Sequence, residues 1–186
     1  MRVGRRAVSA VISSVVVVAC AMAGAAIAEP FAGKWSIAER TDPITGRPAA
    51  RVFLETTAYN GRTHRKGPAI VQLVCNNNQA AVRFAYWYRI GSNSTASLQY
   101  RFDKTPGGTV EARFLPDFKT VVIEEKAAVA AFVQMLERSS YLYVRVLSLP
   151  FGHTIAEYRT EGAPAAIAAA YARCPLETQA TKSTKK

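Results

Sequence analysis

The sequence has few of the residues that most often carry out chemistry. It holds two histidines, His64 and His153, and three cysteines among 186 residues. It contains no Gly-x-Ser-x-Gly elbow and no phosphate-binding glycine loop. Neither histidine stands at ligand spacing from another histidine, a cysteine or a carboxylate, and this argues against a metal site. We therefore predict no catalytic residues, no metal and no cofactor.

A long transmembrane run is also lacking. The longest apolar stretch, residues 7–22, follows a basic start and falls short of the roughly 20 apolar residues of a membrane span. The small residues of Ala26-Ile27-Ala28 come next, before Glu29. This order predicts a secretory signal peptide over residues 1–28, cleaved after Ala28, with no integral span in the mature form.

A second interpretation of the same segment stays open. Val17-Val18-Ala19-Cys20 resembles a bacterial lipoprotein box, in which cleavage before Cys20 would leave that cysteine lipid-anchored. We prefer cleavage after Ala28 because a clean small-x-small site precedes it there. Both interpretations predict export, and we expect the protein in the periplasm.

No strong excess of one charge remains after cleavage. The formal charge of +11 falls to +8 once residues 1–28, with three arginines and no acid, are removed. A Thr-, Ser- and Lys-rich tail, residues 177–186, holds three more of the lysines and is predicted to be disordered. The rest, residues 29–176, is the size of a single domain, which we expect to be monomeric. A mildly basic exported surface does not indicate nucleic-acid binding.

Cleavage after Ala28 also changes the number of cysteines. Cys75 and Cys174 remain, and in an oxidising compartment their expected state is one disulfide. The alternative is two free thiols or a thiolate nucleophile. Neither cysteine has the Cys-x-x-Cys spacing or the adjacent histidine that would activate a thiol.

Short stretches of alternating apolar residues, separated by turn residues, dominate the mature sequence. They predict a mainly β fold, an antiparallel β-sandwich or partial barrel of about seven to nine strands. Apolar residues at helical spacing predict two helices, over about residues 125–138 and 163–173. The predicted strands run over residues 34–40, 50–59, 69–75, 80–89, 96–103, 109–115, 120–123, 141–149 and 154–159.

A basic and aromatic surface is the strongest candidate for function. Arg83, Trp87 and Arg89 share one face of the predicted strand 80–89, and Arg101 falls on the corresponding face of the next predicted strand. A later strand alternates similarly, with Tyr141, Tyr143 and Arg145 on one face. If the faces coincide, they suit an envelope protein or an anionic glycan. In the alternative, which we prefer for Trp87, aromatic rings fill a core while arginines extend to water.

The order of features is similar to that of a group of small exported bacterial proteins. An early Trp35 precedes Cys75, the strand end Tyr100-Arg101-Phe102-Asp103, a helix, and a final segment from Gly162 to Cys174. In this order the chain resembles the VasI-type proteins associated with type VI secretion and, more loosely, invasion-associated locus B-like proteins. The resemblance implies a periplasmic β-sandwich with one disulfide and without established catalysis.

These observations favour an exported, non-enzymatic binding or accessory protein of the bacterial cell envelope. Two alternatives remain. A small envelope hydrolase, or an inhibitor of an envelope enzyme, would need polar residues brought together in space near His64 or His153. A lipid-anchored envelope protein would need Cys20 to be retained.

Overall fold

The computed structural model describes residues 31–32, 35–41, 46, 48–174 and 176. The predicted signal peptide, with Cys20 and the cleavage position after Ala28, lies outside these residues, as does the predicted tail 177–186. Within the described ranges the chain is mainly β, as the sequence predicts.

Ten strands account for the β structure of the described residues. They are β1 (Phe31–Ala32), β2 (Trp35–Thr41), β3 (Pro48–Asn60), β4 (Lys66–Asn76), β5 (Gln79–Tyr86), β6 (Thr95–Phe102), β7 (Gly108–Phe114), β8 (Thr120–Ile123), β9 (Tyr141–Ser148) and β10 (Gly152–Arg159). The bounds of β2 to β10 match the nine predicted strands within a few residues, and β1 has no predicted counterpart. Among the strand ends predicted to carry site residues, the end of β5 differs most from its prediction. The strand ends at Tyr86 rather than at Arg89.

Eight of these strands form a closed antiparallel barrel. The order around it is β3-β10-β9-β6-β7-β8-β5-β4, and β4 pairs again with β3. One edge of the long β3 serves two partners, β2 along Pro48–Leu54 and β10 along Ala58–Asn60, so β1 and β2 extend beside the barrel. The predicted antiparallel β class is confirmed, in a closed rather than a partial form.

Alternation along the strands fills the barrel. In β6, Ala96, Leu98 and Phe102 are buried while Ser97, Gln99 and Arg101 are exposed, because successive side chains point to opposite faces of a strand. The same alternation buries three further residues of β5: Val82, Phe84 and Tyr86. The inward residues therefore form one apolar core, as expected for a small barrel.

The first helix, α1 (Lys126–Leu136), connects β8 to β9. Glu125 is its N-cap, and its carboxylate accepts hydrogen bonds from the amides of Ala127 and Ala128, which satisfies two donors of the first turn. The fully buried Phe132 packs edge-on against three rings of the barrel interior: Phe84, Tyr100 and Phe102. The predicted amphipathic helix is thus confirmed, and Phe132 places it over one end of the barrel.

The second helix, α2 (Ala163–Tyr171), follows β10 after Gly162, whose φ of 86° suits glycine. Tyr171 is buried, and its hydroxyl donates a hydrogen bond to the carbonyl of Ala81 at 2.9 Å. Just beyond, the sulfurs of Cys174 and Cys75 lie at disulfide distance, with the two Cα atoms 5.8 Å apart. The sequence-predicted pair is therefore brought together.

Because neighbouring strands run in opposite directions, their connections fall at two ends of the barrel. The helix end carries α1, α2 and the turns at residues 77–78 and 103–107. The loop end is formed by residues 61–65, 87–94, 115–119 and 149–151. Neither described helix is long and apolar enough to cross a membrane.

Candidate functional site

The residues of the predicted surface, three arginines and Trp87, do not form one patch. Arg83 lies on β5 and Arg101 on β6, and in the barrel β8 and β7 separate these two strands. Arg101 also stands near the helix end of β6, about 20 Å along the strand from the loop that holds Trp87 and Arg89, at 3.3 Å per residue. The condition that the two faces coincide is not met, because β5 pairs with β8 instead of β6.

Trp87 is on the surface, with 74% of its side chain exposed. The register of β4 and β5 places Pro68 opposite Trp87, and the Trp87 amide donates to the Pro68 carbonyl at 3.0 Å. Pro68 has no amide hydrogen and therefore cannot donate a hydrogen bond to Trp87 in return, so the pairing of β5 with β4 ends at Tyr86. The preferred interpretation of Trp87 as a core residue is therefore wrong.

Arg83 and Arg89, the other two arginines of the predicted surface, have different surroundings. Arg83 is half-buried on the outer face of β5, and its Nε has no hydrogen-bond partner among the described residues. Arg89 lies in the loop after β5. Its Nε donates to the carbonyl of Gly91 at 2.9 Å, and its guanidinium sits 4.6 Å from the ring centre of Phe118.

Arg101 belongs to a different surface, which the structure assembles on β6, β9 and β10. We call it the arginine–tyrosine face, and it consists of Arg101, Tyr141, Tyr143, Arg145 and Arg159. The register pairs Arg101 with Tyr143 and Tyr141 with Arg159. The two tyrosine rings are stacked, with centres 6.4 Å apart. The Arg101 guanidinium lies 4.5 Å from the Tyr143 ring centre and that of Arg159 lies 5.9 Å from the Tyr141 ring centre.

Cross-strand pairing explains this array. Outward residues directly opposite each other on antiparallel strands lie close enough to interact, and a cation over an aromatic ring is attracted by the negative face of the ring. Arg145 extends the face by one step, since it pairs with Gln99 of β6 and with Ile155 of β10. Its Nη1 lies 3.5 Å from the Gln99 side-chain oxygen.

A groove of about 410 Å³ opens on this face. Its lining residues include Gln99, Arg101, Gly107, Gly108, Thr109, Tyr143, Arg145 and Ile155. A side-chain carbon on Gly108 would stand 3.4 Å from the ring of Tyr100, its partner in the register, so glycine leaves room for that ring. Burial raises the pKa of Tyr100, whose ring faces the core beneath the groove. The groove thus combines two exposed cations, an aromatic ring and an aliphatic side chain.

Two carboxylates lie close to this surface. One is Asp103, whose Oδ1 accepts a hydrogen bond from the Tyr141 amide at 2.9 Å, and the other is Glu157. Glu157 of β10 is exposed and stands opposite Tyr143 in the register. It lies on the side of Tyr143 away from Arg101, because β9 separates β10 from β6. No carboxylate is among the residues that line the groove, whereas Arg101 and Arg145 both line it.

Both histidines are exposed and lie toward the loop end. The Nδ1 atom of His64 is 3.1 Å from the Tyr59 hydroxyl, and His153 stands opposite Leu147 on β9. Among the described residues, neither histidine is hydrogen bonded to a carboxylate, and no group of three or more His, Cys, Asp or Glu could hold a metal ion. The pairing that the hydrolase hypothesis needs is not formed in this part of the chain.

Sequence reasoning missed the groove because its walls come from separate strands. The alternation of Tyr141, Tyr143 and Arg145 is visible in the sequence, but Gly107, Thr109 and Ile155 carry no signal on their own. Their assembly depends on β6 pairing with β9 rather than with β5. Comparisons of the chain with protein-family models, with curated proteins and with solved structures find no match.

Proposed function

We propose that the chain is an exported, monomeric, non-enzymatic binding protein of the bacterial envelope, whose arginine–tyrosine face binds an anionic glycan. The observation that carries the proposal is the ordered Arg101–Tyr143–Tyr141–Arg159 array beside an open groove. A Cys75–Cys174 disulfide would hold the barrel that presents this face.

The chemistry of the groove suits an acidic ligand. A guanidinium presents several donors in a planar fork that matches a carboxylate or phosphate. Arg101 and Arg145 offer two such forks, and neither has a carboxylate within salt-bridge distance among the described residues. Stacking on Tyr143 restricts the motion of the Arg101 side chain, so less conformational entropy is lost on binding.

The size of the groove suits a small ligand such as a few sugar units. Its volume of about 410 Å³ lies within the range of small-ligand sites. Arg101 and Arg145 occupy diagonal positions on neighbouring strands, about 7–8 Å apart at Cα. Tyr143 and Ile155 supply the apolar surface between and beside them, which fits a ligand that combines acidic groups with the apolar faces of its rings.

Isothermal titration with polygalacturonate, a carboxylated polysaccharide, tests the proposal, with neutral dextran as the reference. We expect polygalacturonate to bind and dextran not to bind. Arg101→Gln and Arg145→Gln should each weaken binding about tenfold or more, because each removes a charge-assisted pair worth about 1.5–3 kcal/mol. Tyr143→Ala should weaken binding as well, since it removes both a ring surface and the support of Arg101.

Arg51→Gln is the matched control. Arg51 is an exposed arginine whose guanidinium lies 5.0 Å from the ring centre of Phe53, so it has the same type of cation–ring contact outside the groove. The Arg51→Gln variant should bind polygalacturonate with an affinity within twofold of that of the unmodified protein. Equal losses of affinity for Arg51→Gln and Arg101→Gln would show only non-specific charge attraction. Binding to an acidic protein but not to polygalacturonate would refute the proposal that the ligand is an anionic glycan.

A further inference from the structure

Two large apolar side chains are exposed at the loop end of the barrel. Trp87 is 74% exposed and Leu149 is 79% exposed, the two highest values among the large hydrophobic residues described. Trp87 lies just beyond β5 and Leu149 lies between β9 and β10, so both belong to the same end. Neither lines the groove of the arginine–tyrosine face.

The loops that carry these side chains are held together by hydrogen bonds. The Gly61 amide donates to the His153 carbonyl at 3.0 Å, and the Asn60 side-chain amide donates to the Phe151 carbonyl at 2.9 Å. On the other side, the Tyr88 hydroxyl lies 3.4 Å from the Arg65 carbonyl. The turn between β3 and β4 thus contacts the segments that hold Leu149 and Trp87, and it lies between them.

The loop end that carries these two apolar side chains also carries several cations. Five exposed basic residues belong to this end: Arg62, Arg65, Lys66, Arg89 and Lys119. Its four loops contain one carboxylate, Asp117, which accepts hydrogen bonds from the amides of Lys119 and Thr120. The helix end is different, because its connections hold Asp103, Glu124, Glu125, Glu137 and Glu161. The barrel is therefore positively charged at the loop end and richer in acid at the other.

We infer that the loop end docks on an anionic phospholipid bilayer, with Trp87 and Leu149 inserted at the level of the headgroups. Amphipathic rings such as that of tryptophan favour this interfacial region, and basic residues are attracted to anionic lipids. A soluble polyanion would use the cations alone and would leave both apolar tips in water. The bilayer uses both features, and the docked barrel would keep the arginine–tyrosine face, which lies on its side, open to solvent.

Tryptophan fluorescence tests this inference directly, because the chain has only two tryptophans and Trp35 is fully buried. The purified protein, in the form that cells process it to, is titrated with phosphatidylglycerol–phosphatidylcholine vesicles and with phosphatidylcholine vesicles. We expect the emission to shift to shorter wavelength with the anionic vesicles only, and the shift to be absent in Trp87→Phe. Binding through residues 1–28 or a lipid on Cys20 would leave the emission of Trp87 unchanged, which would overturn the inference.

Charge variants give an independent readout by vesicle co-sedimentation. Arg62→Gln together with Arg65→Gln should lower partitioning on the order of twentyfold, because each cation near an anionic surface contributes about fivefold. The matched control is Lys104→Gln with Arg138→Gln, two exposed basic residues at the helix end, and it should partition like the unmodified protein. An equal loss of partitioning in the two double variants would overturn the inference. A protein that binds dextran sulfate, while Trp87 does not respond to anionic vesicles, would identify a polyanion site instead.

Discussion

Removal of the link between Cys75 and Cys174 should destabilise the whole barrel rather than the last helix alone. The two cysteines are 99 residues apart in sequence, and one of them lies in β4 while the other follows α2. Linking them therefore restricts most of the unfolded barrel. A closed loop of about 100 residues corresponds to about 4.7 kcal/mol of lost chain entropy in the denatured state at 25 °C.

The contacts of α2 allow the loss of chain entropy to be distinguished from a local loosening of the helix. Without the link, α2 would still be held by its buried alanines and by the Tyr171 hydroxyl, which donates to Ala81. Loss of that single neutral hydrogen bond costs about 1 kcal/mol. We therefore expect Cys75→Ala/Cys174→Ala to lower the free energy of unfolding by about 4 kcal/mol and Tyr171→Phe to lower it by about 1 kcal/mol.

Urea unfolding, followed by the emission of the buried Trp35, measures both variants. The unmodified protein in the presence of a reductant should behave like the double alanine variant, and its two thiols should then be accessible to alkylation after unfolding. A double variant within 0.5 kcal/mol of the unmodified protein, with no change on reduction, would refute the chain-entropy reasoning. A loss confined to hydrogen exchange in α2 would contradict it as well, because the cross-link would then act only on the helix.

Two further predictions concern packing and acid stability. Phe132→Ala should lower the free energy of unfolding by about 3–5 kcal/mol, since it empties the space between three rings of the barrel interior, whereas Ala131→Ser on the exposed side of the same helix should cost less than 1 kcal/mol. Partial burial would by itself raise the pKa of Asp117, but hydrogen bonds from Lys119 and Thr120 outweigh it and hold the pKa below the ordinary 3.8. The carboxylate therefore stabilises the fold above about pH 4, and this contribution is lost as the pH falls through the lowered pKa. Between pH 6 and pH 2 the urea midpoint of Asp117→Asn should fall less than that of the unmodified protein, and parallel curves would contradict this assignment.

The local elements could be predicted because their signals are local. Alternation fixed the inward and outward residues of β6, and an apolar stripe with an acidic start identified α1. The end of β5 could not be predicted in the same way. It depends on Pro68, which is distant in sequence but lies opposite Trp87 across the sheet. A non-local proline therefore decides that Trp87 leaves the ladder and stands in solvent.

Strand order decided where the candidate site lies. Consecutive strands are often neighbours, and the sequence alone leaves open that β5 and β6 share a face. In the barrel β8 returns to pair with β5, and this leaves β6 to pair with β9. Each of these pairings buries an apolar inner face, so the local pattern fits both orders equally well. Only the complete set of pairings distinguishes them.

The register between β6 and β9 then determines the chemistry of the face. A shift by one residue would turn Arg101 toward the apolar interior that Phe132 fills, so burial of the core fixes the register strongly. The same constraint places Arg101 beside Tyr143 on the outside. The positions of the arginines on this face thus follow from packing on the other side of the sheet. Substitutions inside the barrel that alter this register should therefore impair binding at the groove even though they do not touch it.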